Sequence, residues 1–166
     1  MSRFVAAAAL AALLFAPVGA YAKTFPVPDD NPIATVSIPN AWEPHEYDGG
    51  VEGTSEDGGV YVAVEEVNAK DVGEATGDGI EWFAKQGVKI DEKSIKTQDI
   101  KINGMAAFDM DMHGVDKDGP THVSMTLVKT NSDTKFLYVY FWGSDKATQD
   151  NAKDLAAIAE SLQATK

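Results

Sequence analysis

Acidic and imidazole side chains recur two residues apart in Asp109-Met110-Asp111-Met112-His113, and His122 follows in the next hydrophobic run. In an extended chain that spacing puts Asp109, Asp111 and His113 on one face. His122, near the start of the following strand, can approach them across a hairpin. Carboxylate oxygens and imidazole nitrogens suit a divalent transition metal, so these four residues are the candidate metal ligands. The same run opens like a calcium loop, with Gly114 in sixth place, but its twelfth place is Pro120, where a bidentate Glu is required. A second group is aromatic. Trp42, Tyr47, Tyr61, Trp82 and Trp142 could line a cleft, because such rings combine contact area with a polar tip, with Trp42, Tyr47 and Tyr61 as the candidate rim; core or core-edge placement is the preferred reading. The glycine-rich stretch Asp48 to Gly59 lies beside them in the sequence.

Other chemistries lack a necessary part. The chain has no cysteine, and no serine sits in a Gly-x-Ser-x-Gly elbow, so no nucleophile is paired with His45, His113 or His122. His45 follows Pro44 and reads as a surface loop residue. Gly53 to Gly58 has phosphate-loop spacing but is followed by Gly59-Val60, which supplies no lysine to offset phosphate charge. Glu65 and Glu66 point to opposite faces of a regular strand and make no acid pair. Met105, Met110, Met112 and Met125 could bind Cu(I), yet Phe108, Met110 and Met112 alternate as core residues do, and core filling is the preferred reading. No cofactor is expected.

The formal net charge is −12. Such a field repels phosphate backbones and anionic lipid, which excludes nucleic acid and membrane surfaces as partners. Residues Met1 to Ala22 read as a cleavable signal peptide, with Arg3, an apolar run from Phe4 to Phe15, and the small-residue site Ala20-Tyr21-Ala22. The run is shorter than the roughly 20 residues needed to span a bilayer. With no cysteine for lipidation, the expected product is an untethered periplasmic or secreted chain of single-domain length. A protein of the cell envelope is its expected partner.

Residues 23–32 carry Pro26, Pro28 and Pro32 and read as an extended lead-in, with the folded domain over 33–166. Alternation predicts strands over Ile33 to Ile38, Val51 to Ser55, Val60 to Val67, Ser94 to Ile102, Met105 to His113, Pro120 to Lys129 and Lys135 to Trp142. The last of these is apolar on both faces, which marks a central strand. Asp71 and Glu74 form a capping box for a helix that Gly87 stops, and Ser144 or Asp145 caps a second helix through Leu162. Between Ile102 and Met105, a three-residue loop pairing Ile102 with Ala106 and Ile100 with Phe108 is preferred, because it sets apolar against apolar.

Three stretches carry a resemblance: Val36-Ser37-Ile38-Pro39-Asn40-Ala41-Trp42, Ile102-Asn103-Gly104-Met105-Ala106-Ala107, and Ile158-Ala159-Glu160-Ser161-Leu162. Together with the order of elements they resemble the Mog1/PsbP-like family, which includes small exported bacterial proteins. The resemblance implies an α+β fold, an antiparallel sheet with helices on both faces, and a non-catalytic accessory or binding role. It implies no active-site residues. The sequence thus leaves three functional readings in order: an accessory binding module of the envelope, a divalent-metal binder, and an enzyme with an unrecognised site.

Overall fold

The computed structural model describes residues 22–132 and 134–165. The expected signal peptide therefore lies outside the described residues, apart from Ala22. The chain runs β1 (Ala22–Val27), β2 (Ala34–Pro39), β3 (His45–Tyr47), β4 (Gly50–Thr54), β5 (Val60–Asn68), α1 (Val72–Lys85), β6 (Lys89–Ile90), β7 (Lys96–Ile102), β8 (Met105–Asp116), β9 (Gly119–Lys129), β10 (Lys135–Gly143), α2 (Asp145–Asp150), α3 (Ala152–Ser161) and β11 (Gln163–Ala164). The large antiparallel sheet has the order β3-β4-β5-β10-β9-β8, with β6 and β7 both on the outer side of β8. A small sheet, β1-β2-β11, packs over one of its faces together with α2 and α3.

β10 is hydrogen-bonded to β5 and β9 along its two edges, and a core lies on each of its faces. One face contributes Leu137, Val139 and Phe141 to a core shared with Val36, Ile38, Trp42, Val62, Val64 and Ile158. The other contributes Tyr138 and Tyr140 to a core shared with Met110, Met112, Met125 and Phe83 of α1. The methionines are therefore packing residues.

Local chemistry explains the helix ends. Asp71 accepts the Glu74 amide at 3.0 Å, while Glu74 reaches back to the Lys70 amide at 2.8 Å. Gly87, at φ +89, ends the segment as a left-handed residue. Ser144 accepts the Ala147 amide at the start of α2. The single C-terminal helix expected from the sequence is broken at Asn151, whose side chain donates to the Ala147 carbonyl at 3.0 Å and also to Asp57.

Two further expectations are corrected. The proline-bearing lead-in belongs to the fold: β1 pairs with β2 from Ala22↔Pro39 to Val27↔Ala34, and Phe25 and Val27 are fully buried. Proline excludes helix yet is tolerated on an edge strand, which β1 is. The hairpin register also differs. Ile102 pairs with Met105 and Asp99 with Phe108, because Asn103 (φ +50) and Gly104 (φ +85) form a two-residue turn with both central φ angles positive. Apolar matching survives on one face, where Ile100 meets Ala107. Opposite Phe108, Asp99 is exposed on a sheet edge.

Two glycines of α1 make opposite demands. A Cβ on Gly79 would coincide with the buried Tyr138 hydroxyl, whereas a Cβ on Gly77 would meet nothing within 4 Å. Gly77→Ala is expected to raise stability by about 1 kcal/mol in chemical denaturation, the ordinary helix gain. Gly79→Ala should forfeit that gain and lose roughly 1–3 kcal/mol to overpacking. Equal effects of the two substitutions would contradict this packing.

Candidate functional site

The β8-β9 register brings the polar row of the sequence together in part. His113 lies directly opposite His122, Asp111 opposite Ser124, and Asp109 opposite Thr126. The two imidazole rings stack with centroids 5.0 Å apart and planes 22° from parallel. His122 Nε2 lies 2.5 Å from Asp111 Oδ2, and His113 Nδ1 lies 3.6 Å from Asp145 Oδ1. Asp109 is held elsewhere, accepting from Thr126 Oγ1 at 2.7 Å and Gln98 Nε2 at 3.0 Å. Among the described residues no three His, Asp or Glu side chains converge as a metal-holding group. The expected four-ligand set of Asp109, Asp111, His113 and His122 is thus corrected to a row of pairs, since register spaces Asp109 two rows from the histidines.

The aromatic rim is also redistributed. Trp42 is a core residue, 1% exposed, with its indole N–H aimed at Asp154 Oδ2 at 3.3 Å. Its position in a short 3₁₀ turn after β2 points the ring inward, under the small sheet. Tyr47 and Tyr61 sit on the opposite face of the large sheet. Tyr47 donates to Glu65 Oε2 at 2.6 Å, and Tyr61 donates to Glu52 Oε2. Strand order causes this pairing: Tyr47 of β3, Gly50 of β4 and Glu65 of β5 form one row, and Gly50 is needed because any Cβ there would strike Glu65. His45, which reads from the sequence as a loop residue, lies in β3 with Nε2 2.7 Å from Glu52 Oε1.

Burial, reinforced by neighbouring carboxylates, pushes the Tyr47, Tyr61, Tyr138 and Tyr140 hydroxyls above the usual tyrosine range, although hydrogen bonds with Tyr47 and Tyr61 oppose the rise at Tyr140. Burial also raises the Glu65 carboxyl; the Tyr47 hydrogen bond opposes the rise and the Glu52 charge adds to it.

Tyr61 and Trp142, with ring centroids 6.1 Å apart, form one wall of an open pocket of about 400 Å³ at the end of the sheet. Asp116, Asp118 and Pro120 line it, and Gly58 and Gly59 of the glycine-rich turn complete its rim. Trp142 Nε1 donates to Asp116 Oδ2 at 2.9 Å, and that carboxyl lies below its ordinary range although partial burial pushes the other way: hydrogen bonds from Trp142, from the Asp118 and Gly119 amides and from Thr121 outweigh it. Trp142 is among the aromatics the sequence offers for a cleft, but Asp116 does not stand out there as its partner. The signal was present in the turn Asp116 to Gly119 and in the outward-pointing end of β10, but their meeting depends on β9 lying between them.

These features define a class: the chain has the Mog1/PsbP-like fold. No protein-family model and no curated protein sequence matches it. Among solved structures, cyanobacterial PsbP (CyanoP) from Synechocystis sp. PCC 6803 aligns at TM-score 0.59 and 13% identity, covering 90% of this chain and 96% of that one. LpqN of Mycobacterium tuberculosis aligns at TM-score 0.54 and 11% identity, over 88% and 92% of the two chains. The Saccharomyces cerevisiae Ran-binding protein Mog1p aligns at TM-score 0.51 and 12% identity, over 87% and 95%. At these identities the likeness defines the fold.

A carboxyl raised in the folded state holds its proton more tightly there than in the unfolded chain. Its ionisation therefore costs stability as pH climbs from the unfolded value through the raised one. Glu65→Gln is expected to melt higher than the parent at neutral pH, with the difference closing toward pH values below the usual carboxylate range. A pH-independent difference in melting temperature would refute the assigned burial effect.

Proposed function

We propose that this chain is an exported, non-catalytic accessory module that binds a protein of the cell envelope. One observation carries the reading: the polar side chains best placed for chemistry are held by neighbours, while the aromatic and acidic pocket at the end of the sheet stands open. Glu65 holds Tyr47, Glu52 holds Tyr61, Asp111 holds His122, and Thr126 with Gln98 holds Asp109. The end pocket offers Tyr61, Trp142 and two aspartates, a combination suited to an anchor residue from a partner. The signal-peptide pattern supports export. No helix among the described residues is long and apolar enough to cross a membrane. Of the similar structures, LpqN is involved in cell envelope biogenesis and Mog1p binds Ran, which accords with binding roles on this fold.

A photo-crosslinking residue at exposed Asp118 is expected to trap one dominant envelope protein in intact cells. The same group at Lys101, at the far end of the sheet, should not. No adduct at Asp118, or the same adducts from both positions, would overturn the reading.

The stacked pair His113 and His122 favours a second reading, a divalent-metal binder, because each imidazole has one nitrogen near a carboxylate and the other available as a ligand. In that case protein isolated from its native compartment carries stoichiometric metal, His113→Ala removes it, and added zinc raises the melting temperature by mass action. Metal-free native protein with an unchanged melting temperature in zinc rules this reading out.

A further inference from the structure

A second, smaller concavity lies on the same face of the sheet, under the middle of α1. It has a volume of about 190 Å³, and its walls are Trp82, Tyr138 and Tyr140 with the carboxylates of Glu65 and Asp78 at its edge. Ring centroids lie 5.1 Å apart for Trp82 and Tyr140 and 5.2 Å apart for Tyr138 and Tyr140, so three aromatic rings form a continuous corner. Gly79 is what lets α1 sit this low, since its missing side chain leaves room for the Tyr138 hydroxyl. Glu65 and Asp78 both line the cavity together with the Tyr138 ring, which places two carboxyl groups at the corner. Among the described residues neither carboxylate is ion-paired with a lysine or histidine, although Glu52, Glu66, Glu74 and Glu81 all are.

We infer that this corner is a binding site for an alkylammonium group, held by the faces of Trp82, Tyr138 and Tyr140 and by the charges of Glu65 and Asp78. Aromatic faces attract cations through their quadrupole, most strongly where water is excluded, and the two carboxylates supply the counter-charge. Size sets the ligand class. Pockets for drug-sized molecules begin at roughly 300 Å³, so this one takes a side-chain-sized head group and excludes a nucleotide or an oligosaccharide. The walls bear no cation to hold an anion, and a neutral ligand of the same shape would leave the two charges unanswered. The ammonium can arrive on a free small molecule or on a lysine side chain.

The test titrates the purified protein with choline, with its neutral carbon isostere 3,3-dimethylbutan-1-ol, and with the blocked tripeptides Gly-Lys-Gly and Gly-norleucine-Gly, reading heat and tryptophan fluorescence. Choline or the lysine peptide is expected to bind saturably at about millimolar concentration, at least tenfold tighter than its neutral counterpart. Preference for choline identifies a free ammonium ligand, and preference for the lysine peptide a protein-borne one. Glu65→Gln and Asp78→Asn should each weaken the preferred cation several-fold. Asp78 is exposed on the helix, so its variant tests the site without disturbing the core. Failure of both cations to bind up to about 10 mM, equal binding of the neutral isosteres, or affinity unchanged in both variants would overturn the assignment.

Discussion

Everything in this fold leans on β10. It has hydrogen-bonded neighbours on both sides, and long apolar side chains stand on both its faces, so it must be covered twice. Leu137, Val139 and Phe141 require one layer and Tyr138, Tyr140 and Trp142 another. The small sheet with α2 and α3 meets the first demand, and α1 meets the second. Buried aliphatic side chains contribute about 1.5–3 kcal/mol each, so the fully buried valines and leucines around β10 outweigh any single polar contact in the molecule.

The two layers differ in chemistry. Beneath the small sheet the core is aliphatic, with Trp42 as its largest ring. Beneath α1 it is aromatic and sulfur-rich, and its margin toward β3 and β4 is where phenols meet carboxylates. Phenol hydroxyls on an aromatic wall let acidic residues approach an apolar surface with their oxygens satisfied. Acidity and aromaticity therefore coincide at one margin of the sheet, while the histidine row on the opposite face stands apart from it.

Much of this was legible in the sequence. Period-two alternation located β2, β4, β5, β8, β9 and β10, and β10 read as central because both its faces are apolar. Capping side chains located α1 and the start of α2. Strands of two or three residues, such as β3, β6 and β11, carry too few positions for alternation to register. β1 was masked by prolines that bar helix yet permit an edge. In the hairpin, matching Ile100 to Phe108 looked favourable because it set apolar against apolar; turn geometry prevailed because β7 is an exposed edge. For the sites, parity alone placed Tyr61 with Glu65 and Asp109 with His113. Pairing Tyr47 with Glu65 needed the order β3-β4-β5, and Trp42 could be assigned to the core only once the small sheet above it was known.

The small sheet has β2 in its middle, between β1 from the beginning of the described chain and β11 from its end. Gln163 and Ala164 pair with Thr35 and Ala34, Ser161 Oγ accepts the Ser37 amide, and Thr165 binds backbone at Ile33. Loops of that length close late, because their entropy is lost before their contacts form. A chain still being synthesised lacks Ile158 and Leu162, which finish the aliphatic layer. The last turn of α3 and the four residues after it thus act as a clasp that ties the far end of the described chain to β2.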